Sequence, residues 1–148
     1  MSLTVSTRSR YGIRLMIALA LDYGSGVSLL RNISKREGIS EKYLGQIIIS
    51  LKTAGLVNSQ RGSHGGYALS RPPVDITARD VVEAIEGRIS PVPCVDDPEA
   101  CEGTPHCAAN GLWRKLRDDI RESLSSFTLA ELARQAKERG ASAASYEI

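Results

Sequence analysis

At 148 residues, with 42% hydrophobic and 24% charged residues and a formal net charge of +2, the chain has the profile of one soluble globular domain, which excludes fibrous and generally disordered classes. A chain of this length buries roughly 68–70% of its unfolded surface, enough for a core without disulfides or metals, so its three cysteines need a separate explanation. Their odd number and confinement between Cys94 and Cys107 are unlike a secreted disulfide scaffold, and the near-neutral balance, taken whole, argues against a nucleic-acid partner.

Residues 13–21 are apolar except for Arg14 and follow Arg8 and Arg10, imitating a signal peptide. The following Asp22-Tyr23-Gly24-Ser25-Gly26 offers no small-x-small cleavage site, and the run is too short to span a bilayer. It reads as a buried first helix over residues 11–23, stopped by Gly24. The chain is therefore placed in the cytoplasm, with no membrane partner.

Ser28 can cap a second helix that runs through Glu37 and ends at Gly38. Ser40 caps a third, in which Glu41 complements the first-turn dipole and Tyr43, Leu44, Ile47, Ile48 and Leu51 recur at helical spacing up to Gly55. This is a helix-turn-helix pattern, with Ile33, Ile39, Leu44 and Ile47 or Ile48 locking the pair and Lys42, Gln46, Ser50 and Lys52 facing outward. Residues 56–61 and 67–70 read as strands joined through Gly62-Ser63-His64-Gly65-Gly66, a β-hairpin tip. No Lys-Ser/Thr pair or helix start follows, so the tip is not a nucleotide loop. The order is that of a winged helix, with Arg61 placed to reach phosphate or a minor groove.

Dividing the charge reverses the opening inference. Residues 1–73 hold ten Lys or Arg against three acids, a net +7, and residues 74–148 hold nine against fourteen, a net −5. A basic half suits a phosphate backbone. Candidate DNA-contacting residues are Ser28 and Ser40 at the two helix starts, Lys42, Tyr43, Gln46 and Lys52 on the third helix, and Arg61, Ser63 and His64 on the hairpin.

After Pro72-Pro73, Thr77 or Asp80 starts a short helix ending at Gly87. Residues 88–107 lack periodicity and contain four of the six prolines. From Leu112, an apolar stripe of Trp113, Leu116, Ile120, Leu124 and Phe127 marks a long charged helix. Thr128 caps a last helix, with Glu131 completing a capping box, and the tail over residues 140–148 is expected to fray. The stripe can fold back or pair with its twin; pairing is favoured, because two-fold DNA readers need symmetric half-sites roughly 34–36 Å apart. The fold class is mainly α with a small β-hairpin: a winged helix-turn-helix over residues 1–73, a short helix and cysteine loop over 74–110, and a dimerisation helix with C-terminal helix over 111–148.

Cys94, Cys101 and Cys107 are separated by six and five residues, wider than the tight pairs of structural zinc sites and compatible with a loop-held iron–sulfur cluster. A fourth position is open to His106, Asn110, a loop carboxylate, a second subunit or a small ligand. Buried packing does not suit a loop carrying Asp96, Asp97, Glu99 and Glu102. Zinc and a thiol redox switch stay open beside the cluster.

Val5-Ser-Thr-Arg-Ser-Arg-Tyr-Gly12, Ile39-Ser-Glu-Lys-Tyr-Leu44, Gln46, Ala54-Gly-Leu-Val57, Arg61-Gly62, Gly65-Gly-Tyr67, Ile76-Thr77 and Glu86-Gly87 resemble the Rrf-two family of bacterial winged-helix transcription regulators, over about residues 5–135. The resemblance implies a homodimer on a pseudo-palindromic double-stranded DNA operator, acting as a repressor. In members that regulate iron–sulfur assembly or sense nitric oxide it implies a 2Fe–2S or 4Fe–4S cluster, matched in kind by Cys94, Cys101 and Cys107. Cysteine-metabolism repressors of the family lack that cysteine set, so thiol redox or a protein partner is the alternative control. An iron–sulfur carrier without DNA function is a third reading. The sequence departs from the family at Asn110, where assembly regulators carry histidine, and at Gly45, where the family often carries glutamate. No nucleophile–base pair or paired catalytic carboxylates emerge, and no enzyme activity is expected.

Overall fold

A computed structural model describes the backbone of residues 4–146 and the side chains of residues 4–140. Helix α1 (Thr7–Leu21) opens the fold. It begins four residues before the expected start because Ser6 caps it, its hydroxyl accepting from the Ser9 amide at 3.0 Å. Leu15, Met16 and Leu19 on its inner face are completely or almost completely buried. Gly12 lets α1 lie close to a later helix, since a Cβ there would collide with Ile85.

The helix-turn-helix is formed by α2 (Leu30–Glu37) and α3 (Glu41–Thr53). Gly38 supplies the left-handed turn between them at φ 66°, and its amide closes on Ser34 O. Ser40 caps α3 by accepting from the Tyr43 amide at 3.1 Å. Ile33, Ile39, Leu44 and Ile47 lock the pair as expected, each no more than 4% exposed.

The expected cap at Ser28 is not made. Helix α2 starts after Leu29, which makes no side-chain cap. Ser28 instead forms an extra rung beside the hairpin of β1 (Val57–Gln60) and β2 (Gly66–Leu69), exchanging two 2.8 Å backbone hydrogen bonds with Tyr67. The strands pair antiparallel from Val57 opposite Leu69 to Gln60 opposite Gly66. Gly66 permits this crossing, because a Cβ there would sit 2.6 Å from Ser28 O.

A capping box between Thr77 and Asp80 starts α4 (Ala78–Glu86). The proline-rich stretch then folds into three successive 3-10 turns, Pro93–Val95, Pro98–Ala100 and Thr104–His106, rather than a featureless loop. Long helix α5 (Ala109–Ser125) follows. Its junction with α6 (Leu129–Tyr146) is pinned to the start of α4: Ala78 N donates to Phe127 O and Leu129 N to Ile76 O, both at 2.8 Å.

At the start of α6 only half of the expected capping box forms. Thr128 Oγ1 accepts from the Glu131 amide at 3.1 Å, whereas the Glu131 carboxylate turns to Arg134 and Gln135. The helix also runs on through Tyr146 where fraying from Gly140 was expected; residues 147–148 lie outside the described residues. Leu129 and Ala133 of α6 join the same apolar cluster as Leu15, Leu44, Val81 and Ile85. One core thus draws on all three segments of the chain. Among the described residues, no helix is long and apolar enough to cross a membrane.

Candidate nucleic-acid interface and cysteine loop

The outer face of α3 follows from its inner one. Leu44, Ile47, Ile48 and Leu51 are buried, so Lys42, Gln46, Ile49, Lys52 and Thr53 are turned outward. Lys42, Gln46 and Lys52 stand exposed as predicted, and so do Ser40 at the cap and Arg61, Ser63 and His64 on the hairpin. Lys52 and Arg61 line one polar cleft between the helix-turn-helix and the hairpin, which brings the basic ends of two elements together.

Two of the predicted residues are placed differently. Ser28 is 8% exposed, and its hydroxyl donates to Asp22 at 2.7 Å. Burial pushes the Asp22 carboxyl up, but the hydrogen bond from Ser28 and the Arg36 guanidinium outweigh it and hold the group below the usual carboxylate range. Ser28 therefore holds the outer edge of β2 at Tyr67 instead of facing a ligand. Tyr43 is half-buried, its ring edge-on to Tyr11 at 5.6 Å between centroids.

Three features escaped the sequence reading. Ile49 is 64% exposed on the outer face of α3; the third residue of an unbroken isoleucine run cannot share the inward direction of Ile47 and Ile48, and that was the available signal. Ser50, expected to face outward with Lys42 and Gln46, is instead half-buried and accepts from Arg8 Nη2 of α1 at 2.9 Å, a partner from another helix that the spacing could not show. Arg8 neighbours Ser9, whose hydroxyl donates to Glu86 at the end of α4 at 2.7 Å, and Ser6 donates to the same carboxylate. These two hydrogen bonds hold the Glu86 carboxyl below the usual range.

The third feature is the anchorage of the cysteine loop. Asp96, two residues after Cys94, accepts from Arg117 Nη1 at 3.0 Å and from Arg121 Nη2 at 3.1 Å, both on α5. The three side chains are only 13–18% exposed. Arg117 also donates to Val95 O at 2.9 Å and Arg121 to Ile89 O at 2.8 Å. Burial raises the Asp96 carboxyl, and the Ser90 hydroxyl and both guanidiniums overcome it, so the group stays ionised.

The thiols themselves are free of disulfides; Cys94 is half-buried, and Cys101 and Cys107 are exposed. Asn110 is 8% exposed and its amide nitrogen lies 3.7 Å from Cys94 Sγ. His106 is exposed on the last turn. Among the described residues, no three His, Cys, Asp or Glu side chains converge into a group that could hold a metal. The donor set suits an iron–sulfur group in kind, since soft thiolates are its ligands; holding one requires the loop to rearrange.

On α5, Asn110 alone is buried among the described side chains. Trp113, Leu116, Ile120 and Leu124 are half-buried and Leu112 is 61% exposed; Phe127, in the junction just past the helix, is 41% exposed. The stripe is thus partly covered along its length and open at Leu112 and Phe127.

The family model "Rrf2: Iron-dependent Transcriptional regulator" matches residues 5–135. The chain belongs to the Rrf2 family. The transcriptional regulator CymR of Bacillus subtilis (strain 168) is 43% identical over 129 residues, covering 87% of this chain and 88% of CymR. The solved structure of CymR, the global cysteine regulator of B. subtilis, superposes with a TM-score of 0.75 at 42% identity, covering 90% of this chain and 98% of that one. The structure of T. potens IscR gives the same TM-score at 37% identity, covering 94% and 92%. The Rrf2 match agrees with the winged-helix reading of the helix-turn-helix and hairpin.

Proposed function

We propose that the chain is a homodimeric DNA-binding repressor whose affinity for a pseudo-palindromic operator is set by the state of Cys94, Cys101 and Cys107. The supporting observation is mechanical: Asp96 ties the cysteine loop to Arg117 and Arg121 of α5, the helix that carries the partly exposed apolar stripe. A change in the loop's order would therefore be felt along the helix that pairs the subunits.

In this reading α3 enters the major groove, where Gln46 can pair with adenine and Lys42 with guanine or phosphate. Lys52, Arg61, Ser63 and His64 meet the backbone around the cleft, and Ser40 stands at the first turn of α3. The paired stripes of two α5 helices set the distance between half-sites.

Cys94, Cys101 and Cys107 would hold an iron–sulfur cluster of the 2Fe–2S or 4Fe–4S kind, supplying a centre that responds to oxidants, nitric oxide or iron supply. The side-chain amide of Asn110 lies against Cys94 and would donate a hydrogen bond to its sulfur; His106 has no such position. Purification under anaerobic conditions followed by iron and sulfide analysis tests this. Bound iron and sulfide that disappear in Cys101→Ser are expected, and colourless, iron-free protein would overturn the cluster.

A second reading is supported by the exposure of Cys101 and Cys107 and by the identity to CymR. Here the same DNA-binding dimer is governed by thiol oxidation or a protein partner in cysteine metabolism. Mass spectrometry would then detect a reversible disulfide and no metal.

A further inference from the structure

We infer that Ile49 reads sequence, packing its side chain against the C5-methyl group of a thymine in each half-site. The inference rests on the DNA-binding reading above and adds the base chemistry that α3 selects.

Ile49 is 64% exposed between Ile48 and Leu51, which are 2% and 0% exposed. Its exposure follows from its position on the helix, since it shares the outer face with Lys42, Gly45, Gln46 and Thr53 at helical spacing. A helical side chain leans toward the turn before it, which for Ile49 is the turn that carries Gly45. Nothing lies within 4 Å of where a Cβ at Gly45 would be, and that turn presents bare backbone. Together they make a small apolar surface beside the Gln46 amide.

The chemistry of the major groove supplies one matching partner. Of the four bases only thymine carries a methyl group there; apart from the small C5–H of cytosine, the other groups on the groove floor are hydrogen-bond donors and acceptors that an isoleucine cannot satisfy. The side chain is β-branched and has one dominant χ1 in a helix, so little freedom is lost on contact. The helix is also held at this turn: Thr53 Oγ1 donates to Ile49 O at 2.9 Å, and Arg8 holds Ser50 at 2.9 Å. Lys42 on the same face of α3 and the exposed Lys52 three residues on supply positive charge that attracts a duplex to this helix.

The test selects duplexes from a random pool with the full-length protein and then replaces each thymine of the enriched site by deoxyuridine, which removes only the methyl group. Wild-type protein is expected to lose about fourfold in affinity at one thymine per half-site, the value of one buried methyl group. Ile49→Ala, checked for fold by circular dichroism, is expected to bind the thymine and deoxyuridine duplexes equally, and Ile49→Val to keep the difference. An enriched site without a methyl-sensitive position overturns the inference and leaves the DNA-binding reading intact. So does sensitivity that survives in Ile49→Ala, or an Ile49→Ala protein altered only in oligomeric state. Failure to enrich any duplex overturns both.

Discussion

Arg121 Nη2 on α5 lies 3.1 Å from Asp96 Oδ2, and the same nitrogen donates to Ile89 O at 2.8 Å. One guanidinium thereby holds both the entrance of the cysteine loop and its first 3-10 turn. Replacing the carboxylate removes the charged partner of two arginines at once. Asp96→Asn is expected to increase amide hydrogen exchange over residues 89–97 and the first half of α5, leaving α1 to α3 unchanged. Uniform exchange across the protein would contradict the clamp.

The same clamp has a predictable pH dependence. Asp96 is held below the ordinary carboxylate value in the fold, so its stabilisation is complete above the unfolded value, about 3.9, and is lost as pH falls through the lower folded value. Neutral and mildly acidic solutions are expected to leave the loop docked. Trp113 fluorescence, from the helix carrying both arginines, should change only below about pH 4, and this transition should disappear in Asp96→Asn.

Glu86 gathers the hydroxyls of Ser6 and Ser9 at the start of α1, one residue from the arginine that holds Ser50 of α3. Glu86→Ala is expected to cost about 0.5–1 kcal/mol in urea unfolding, less than the usual value for a hydrogen-bonded charge because the carboxylate is exposed and screened. Combined with Ser9→Ala, the loss should be less than additive. Additive losses would show that the contact contributes nothing.

Gly45 occupies a helix interior with open space around it. Gly45→Ala is therefore expected to raise stability by about 0.5–1 kcal/mol. If α3 brings bare backbone against DNA, the same variant binds the selected duplex more weakly, a trade between stability and recognition. Denaturation and anisotropy titrations measure the two effects separately.

The half-covered faces of Leu116 and Ile120 on α5 predict that the double substitution Leu116→Glu and Ile120→Glu yields a monomer in sedimentation at micromolar concentration, with helical content retained. A dimer that persists would assign the stripe to the protein's own fold.

The legible part of this molecule was its local part. Ser40, Gly38 and the spacing of Leu44, Ile47 and Leu51 announce the helix-turn-helix because caps and periodicity act over a few residues. Ser28 misled for the opposite reason: a serine before a helix reads as a cap, and its real partners are Asp22, on the far side of a glycine turn, and Tyr67, distant in the chain. The continuation of α6 past Gly140 reflects the small cost of a single helical glycine, about 1 kcal/mol. The loop thiols were visible as composition, whereas the grip of Arg117 and Arg121 on Asp96 depends on how α5 lies against the turn. Ile49 was hidden by its neighbours, since an apolar residue in an apolar run reads as core until the helix phase is drawn.

The central claim couples the thiols to DNA, and operator affinity measures it directly. Fluorescence anisotropy on the selected duplex, under anaerobic conditions, compares wild-type protein with the triple variant Cys94→Ser, Cys101→Ser and Cys107→Ser. A coupling carried from the loop through α5 predicts a change of about 5- to 150-fold, the usual range between linked sites. Equal affinity at equal salt would contradict it.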